Sequence, residues 1–191
     1  RETAQGTEVL LSAAQRAGVP KILFVSSVAA AFPEKGGYAY AQAKERAESA
    51  VTSSGLRYAI IRPTMILGNG SPILGALSTL ALLPVIVLPG NGRVRVQPIA
   101  VADVARAIAL ILASDRFHGE TFEIGGRETL PLGELLQRLR LARAKARGRV
   151  VRLPVGLIQA PLRIAEQLGL TPWLPATAGQ FSSFKYDGAA T

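Results

Sequence analysis

A tyrosine and a lysine four residues apart, Tyr40 and Lys44, could carry out proton-transfer chemistry. Residues at this spacing lie on one face of a helix. A free phenol has a pKa of about 10 and is a poor base near neutral pH; a nearby ammonium lowers that pKa because it favours the phenolate. Such a pair can move a proton while a cofactor moves a hydride. A serine at the end of the neighbouring strand, Ser27 or else Ser26, could hold a substrate oxygen.

The elements around these residues form a crossover unit. Residues 21–26 are a short apolar run, typical of a strand buried on both faces of a parallel sheet. Residues 38–54 predict a helix that Gly55 ends, and residues 57–62 predict a second buried strand closed by Pro63. A strand, a helix and a second strand in one sheet almost always connect with a right-handed crossover.

The rest of the chain continues to alternate between helices and strands. Residues 73–88 predict a packed helix and an apolar loop, because they are fewer than the roughly 20 apolar residues of a membrane span and contain Pro84. We also expect helices over residues 2–17, 101–114, 131–146 and 153–170, an extended segment at 93–98, a strand at 120–124, and a tail from residue 171 that folds back on the body. Asp103 falls in a first helical turn, where a carboxylate favours the helix dipole.

Composition excludes several classes of site. The chain has 191 residues, no cysteine and one histidine, so disulfides, thiolate metal sites and histidine metal clusters are excluded. His118, beside Gly119, is expected in an exposed turn. The net charge of +9 comes largely from a basic run between Arg138 and Arg152. We interpret that run as a solvated face, with contact to an anionic membrane as the alternative. It has neither a recognised module nor interleaved aromatic residues, so we expect no nucleic-acid binding.

A series of segments in order gives these elements a family context. They are ILFVSS (22–27), YAQAKERAE (40–48), IIRPTMILG (60–68), QPIAVADVARA (97–107) and FEIGG (122–126). Together they resemble the later segments of extended and atypical short-chain dehydrogenases/reductases, the epimerase/dehydratase-like branch. The resemblance implies an α/β, Rossmann-like doubly wound parallel sheet. It also implies a single domain over residues 1–191, with a small substrate-side α/β extension from segments near 67–100 and 127–191.

The resemblance implies roles for individual residues. Tyr40 would be the general acid/base, Lys44 would contact the nicotinamide ribose and depress the phenol pKa, and Ser27 would hydrogen-bond the reacting oxygen. Pro63, Thr64 and Ile66 would lie at the nicotinamide end of a cofactor, NAD or NADP. No metal is implied.

The beginning of the chain departs from the family pattern. A dinucleotide-binding fold opens with a strand and a Gly-rich turn that seats the pyrophosphate, whereas this chain opens on a helical pattern. The glycines of Gly68-Asn69-Gly70 do not qualify, because they neither follow a buried strand nor open a helix at the required spacing. We therefore expect a fragment that lacks the first strands.

The substrate-side segments leave two functions open. Nucleotide-sugar enzymes of this branch usually place an arginine where this chain has Val96. The pattern from Leu83 to Ile99 and the tail at 175–184 resemble the atypical subgroup that includes the dinucleotide-binding accessory subunit of respiratory complex I. One hypothesis is a cytoplasmic oxidoreductase or epimerase/dehydratase-like enzyme acting on a small carbonyl or hydroxyl compound. The alternative is a non-catalytic NADP(H)-binding accessory or assembly subunit at a membrane-bound respiratory complex, with peripheral contact to the complex or an anionic membrane.

Overall fold

The computed structural model describes residues 2–35, 38–90, 92–154, 156–157 and 186–190. The helices are α1 (Glu2–Arg16), α2 (Ala39–Thr52), α3 (Pro72–Leu82), α4 (Val101–Ala113) and α5 (Leu132–Ala144). The strands are β1 (Lys21–Val25), β2 (Arg57–Pro63), β3 (Ile66–Leu67), β4 (Val85–Pro89), β5 (Arg95–Val96), β6 (Ile99–Ala100), β7 (Glu120–Ile124), β8 (Leu130–Pro131) and β9 (Arg149–Leu153). These bounds lie close to most of those predicted from the sequence.

A parallel sheet with the order β1-β2-β7 forms the centre of the fold. The interior of β2 is fully buried, and its alternating side chains serve two cores. Ile60 packs with Leu11 of α1 and Val51 of α2. Ala59 and Ile61 belong to the other cluster, which includes residues from α4. Helices therefore cover both faces of the sheet, as the doubly wound fold class requires.

A second group of elements packs α3 and α5 against smaller sheets. Its buried cluster includes Leu77 of α3, Ile86 and Leu88 of β4, and Leu135 and Leu136 of α5. The expectation of a helix after residue 72 is confirmed, but the expected apolar loop is wrong, because residues 85–89 form β4 and pair in parallel with β9. Along β4, Ile86 and Leu88 are buried while Val85 and Val87 are exposed.

The chain beyond α5 differs in part from the sequence prediction. Residues 149–153 form β9, so the helix expected at 153–170 does not begin at Leu153. Residues 155 and 158–185 lie outside the described ranges, and so does most of that predicted helix. The last described residues do return to the body. Gly188 N–H donates to the carbonyl oxygen of Arg95 at 2.9 Å, and Ala190 N–H donates to the side chain of Gln97 at 2.9 Å.

The described helices are all too short or too polar to cross a bilayer. The apolar stretch at residues 73–88 contains α3, which is 11 residues long. Within that stretch, Ile73 and Leu82 of α3 are about half exposed.

Candidate active site

The two candidate serines occupy different environments at the end of β1. Ser27 caps a short 3-10 turn, Val28–Ala31, and its Oγ accepts a hydrogen bond from Ala29 N–H at 3.2 Å. The Ser27 side chain also lies close enough to the Tyr40 phenol to lower its pKa by hydrogen bonding. Ser26 is only 3% exposed, and its Oγ has no partner among the described residues. Of the two, Ser27 is therefore the one that contacts Tyr40.

Helix α2 can present Tyr40 and Lys44 to the strand ends because the residues packed around them on its sheet-facing side are small. Ala41 and Ala47 are fully buried, and Ala43 nearly so. Without bulky side chains on this face, the helix can approach the sheet closely. Tyr40 then lies in the first turn and keeps 48% of its surface exposed. A half-exposed phenol at this position can reach a ligand that approaches from solvent.

Lys44 connects the helix to the end of β1. Its Nζ donates a hydrogen bond to the carbonyl oxygen of Val25 at 2.7 Å. The same atom lies 5.1 Å from the centre of the Phe24 ring and 5.9 Å from the centre of the Tyr40 ring. Burial lowers the pKa of Lys44, and the carboxylate of Glu48 partly opposes that change. The structure thus brings together the three side chains predicted to form the site.

The expected depression of the Tyr40 pKa is not found. Burial raises the pKa of the phenol above its usual value, and the hydrogen bond with Ser27 offsets part of the rise. The physical reason is where the ammonium lies, because Lys44 donates to Val25 and sits over the tyrosine ring, not at its oxygen. At neutral pH Tyr40 is protonated, so the site holds a proton donor.

The segment after β2 is tightly engaged within the protein. Pro63 and Thr64 are buried. The hydroxyl of Thr64 donates to the carbonyl oxygen of Gln97, and its N–H donates to the carbonyl oxygen of Ile124 at 2.9 Å. Ile66 is paired with Ile99 between β3 and β6. The hydroxyl and the N–H of Thr64 are therefore both used in bonds within the protein.

An ion network missed by the sequence analysis lies directly behind the site. The guanidinium of Arg62 binds both carboxylate oxygens of Glu48, at 2.9 and 2.7 Å, and contacts Glu123 at 3.4 Å. Glu48 is 8% exposed. Two signals could have revealed it: an arginine inside an otherwise apolar strand, and a glutamate one helical turn after Lys44. The network fixes α2 to β2 and β7.

Several other residues singled out in the sequence make contacts within the fold. Val96 is 3% exposed and packs in the cluster of the second group, so it offers no charge to a phosphate. The side chain of Arg95 donates to the carbonyl oxygen of Thr129. Asp103 pairs with Arg106 one turn later. His118 is exposed in a turn, as expected.

The basic segment is only partly a solvated face. Arg138 binds two carboxylates, those of Glu128 and Glu134. Arg140 donates to the carbonyl oxygens of Ala81 and Leu83, which ties α5 to the end of α3. A cleft of about 460 Å³ lies beside α5 and β9, and its lining residues do not include the serine, tyrosine and lysine described above.

Comparisons with known proteins bear directly on these elements. Residues 1–115 match a family model described as NAD(P)H-binding. A curated relative, the mitochondrial NADH dehydrogenase [ubiquinone] 1 alpha subcomplex subunit 9 of Arabidopsis thaliana, is 30% identical over 135 residues. That alignment covers 68% of this chain and 32% of the relative, so the chain spans about a third of that protein.

Solved structures share the fold. The dTDP-glucose 4,6-dehydratase DesIV from Streptomyces venezuelae, solved with NAD bound as a double mutant, is 25% identical with a TM-score of 0.63. The match covers 78% of this chain and 52% of that one. The crystal structure of gox2253 matches with a TM-score of 0.69 and 24% identity, over 98% of this chain and 63% of that one.

The matched family model covers more than half of the chain and includes β1, α2 and β2 with the candidate site. The doubly wound sheet, the ordered segments of the resemblance and the solved NAD-bound relative agree with it. The chain therefore belongs to the NAD(P)H-binding family, within the epimerase/dehydratase-like branch of the short-chain dehydrogenase/reductase superfamily.

Proposed function

We propose that this chain contributes the catalytic side chains of an NAD(P)-dependent oxidoreductase or epimerase/dehydratase-like enzyme acting on a small carbonyl or hydroxyl compound. The observation that carries the proposal is the convergence of three groups from separate positions. The Ser27 hydroxyl at the end of β1 partners the Tyr40 phenol of α2, and the Lys44 ammonium lies over the tyrosine ring. A hydroxyl, an acid and a cation close together suit a reaction at a carbonyl oxygen.

The chemistry of the donor set fits the nicotinamide end of a dinucleotide. Lys44 has an ammonium with three donors, of which one is used by Val25. The remaining donors suit the hydroxyls of a ribose, which accept hydrogen bonds. Tyr40 is half exposed, so its phenol can meet a substrate placed against the same cofactor face.

A proton-transfer sequence follows from these side chains. When bound, the nicotinamide cofactor supplies or accepts the hydride. In the reducing direction, Ser27 holds the carbonyl oxygen and Tyr40 donates its proton to that oxygen as the carbon receives the hydride. The product is a hydroxyl, and the tyrosine regains its proton from solvent. In the oxidising direction the phenolate accepts the hydroxyl proton, so that direction requires Tyr40 to be deprotonated.

The test is to measure cofactor turnover with a panel of carbonyl compounds. Turnover is monitored as the loss of absorbance of the reduced nicotinamide. Tyr40→Phe removes the proton donor and keeps the ring, so we expect a rate about 10²- to 10⁴-fold lower. Tyr38→Phe is the matched control, because Tyr38 is a neighbouring phenol whose ring centre lies 5.8 Å from that of Tyr40. Turnover that survives Tyr40→Phe unchanged would show that this phenol is not the acid.

A second candidate function is a non-catalytic NADP(H)-binding accessory or assembly subunit at a membrane-bound respiratory complex. Two observations favour it: the Arabidopsis relative named as a subunit of NADH dehydrogenase, and the burial of Val96 where related enzymes have a phosphate-binding arginine. This role places the protein next to a membrane. It predicts cofactor binding without turnover, and co-sedimentation with membranes or with the complex. Turnover abolished by Tyr40→Phe would contradict it.

A further inference from the structure

Glu48, a member of the ion network behind the site, also attracts the ammonium of Lys44. Glu48 follows Lys44 by four residues on α2, so the carboxylate and the ammonium are neighbours on one helix face. Their attraction is felt at Lys44, where Glu48 opposes the effect of burial. The ammonium nevertheless donates to Val25 on β1 and lies over Tyr40.

Arg62 explains why Lys44 can contact Val25 and Tyr40 although Glu48 is close by on the same helix. A buried carboxylate needs a charged or hydrogen-bonding partner. The planar guanidinium of Arg62 meets both oxygens of Glu48, at 2.9 and 2.7 Å, in the bidentate geometry that arginine favours. Glu123 on β7 holds the other side of the guanidinium at 3.4 Å. The side chain is thus fixed from two elements and turned toward Glu48.

We propose that Arg62 is a positioning residue for the site: by occupying both carboxylate oxygens of Glu48, it keeps that carboxylate from drawing the Lys44 ammonium away from Val25 and Tyr40. The catalytic meaning of this arrangement rests on the function proposed above. The geometry itself can be measured without any substrate. The groups that act on Lys44 are Tyr40 and Glu48 from its own helix, and the Phe24 ring and Val25 carbonyl from β1.

The test compares Arg62→Met, Glu48→Gln and the double variant in the full chain, with lysine carrying a ¹³C label. Arg62→Met frees the carboxylate, so we expect the Lys44 pKa to rise and the proton contacts between Lys44 and the Tyr40 ring to weaken. Adding Glu48→Gln removes the competing charge. In the double variant we expect those contacts to return, with a Lys44 pKa at or below that of the parent chain.

A purely structural role for the ion network makes the opposite prediction for the double variant. Loss of both partners would then leave the Lys44–Tyr40 contacts at least as disturbed as in Arg62→Met. That result, or an Arg62→Met chain with an unchanged Lys44, would overturn the proposal. If Arg62→Met does not fold, Arg62→Lys replaces it, because one ammonium cannot hold both oxygens and we expect a smaller shift in the same direction.

The matched control is Arg57→Met. Arg57 lies on the same strand and pairs with Asp115 at the surface, so its loss should leave Lys44 unchanged. The outcome also separates this proposal from the proposed function. A chain without turnover that still shows the rise and its rescue would contradict the function alone. A chain with turnover but no response of Lys44 would contradict the positioning role alone.

Discussion

The guanidinium of Arg62 meets the carboxylate of Glu48 through two parallel hydrogen bonds, at 2.9 and 2.7 Å, with the carboxylate almost fully buried. Such a pair is sensitive to the loss of one partner, which leaves a charge without compensation. Because one residue is on β2 and the other on α2, the pair fixes where the Tyr40–Lys44 face of the helix stands above the strand ends. The following predictions test the groups that this arrangement holds.

The first prediction concerns pH. Burial raises the pKa of Tyr40 above its ordinary value of 10.0, so the phenol is protonated throughout the neutral range. Reduction, which needs the protonated form, should be independent of pH near neutrality and fall only as pH rises through the raised pKa. Oxidation should increase with pH over the same interval. Reaction rates measured in both directions between about pH 6 and 11 would check this. A reduction rate that already declines before the pH has risen to about 9 would contradict it.

The second prediction compares the two adjacent serines. Ser27→Ala removes the partner of the Tyr40 phenol and the cap of the 3-10 turn, so both turnover and stability should fall. We expect about 1 kcal/mol of lost stability from the cap. Ser26→Ala is the control, because its buried Oγ has no described partner to lose. Its free energy of unfolding should stay within about 0.5 kcal/mol of the parent, and an equal loss for both serines would contradict the assignment.

The third prediction concerns Thr64, whose hydroxyl is bonded to the carbonyl oxygen of Gln97. Thr64→Val keeps the shape and leaves that partly buried carbonyl without its donor, which should cost about 1–3 kcal/mol of unfolding free energy. Thr64→Ser retains the hydroxyl and should lose less. Cofactor affinity, measured by fluorescence of the reduced nicotinamide, should change little in the folded valine variant. A large loss of affinity at unchanged stability would indicate direct binding by the hydroxyl.

The fourth prediction uses two glycines with opposite surroundings. A Cβ built on Gly126 would lie 1.8 Å from the carbonyl oxygen of Pro98, so Gly126→Ala should strongly destabilise the junction after β7. Gly75 lies within α3 and a Cβ there meets nothing within 4 Å. Gly75→Ala should therefore stabilise the chain by about 0.5–1 kcal/mol. Urea unfolding of the two variants measures both effects, and similar midpoints would contradict the close approach at Gly126.

Much of the fold could be predicted from local patterns. The apolar runs at β1 and β2 and the helix between them are short-range signals, so the crossover unit and the proximity of Ser27 to Tyr40 followed from them. Strand β4 could not be predicted with the same security. Its partner β9 lies some 60 residues later, and nothing within residues 85–89 distinguishes a paired strand from an apolar loop.

The electrostatics of the site were less predictable than its residues. The spacing of Tyr40 and Lys44 indicated that they share a helix face, but it could not show that the ammonium donates to Val25. That bond depends on where the helix stands above the strand, which small residues such as Ala41 and Ala47 decide. The direction of the Tyr40 pKa followed from this placement and not from the sequence spacing. The role of Arg62 likewise required contacts among three elements.

The bond from Lys44 to Val25 also has a consequence for how the sheet can grow. Within one trans peptide group the C=O and the N–H point in opposite directions, and the N–H of Ser26, which shares a peptide group with the Val25 carbonyl, points toward β2 and donates to the carbonyl oxygen of Ile61. The Val25 carbonyl therefore points to the outer edge of β1, and Lys44 occupies it. Any further strand that aligns along this edge has to end its ladder before Val25. The lysine thus keeps main-chain pairing on this edge from extending past Val25 toward the Tyr40 side chain.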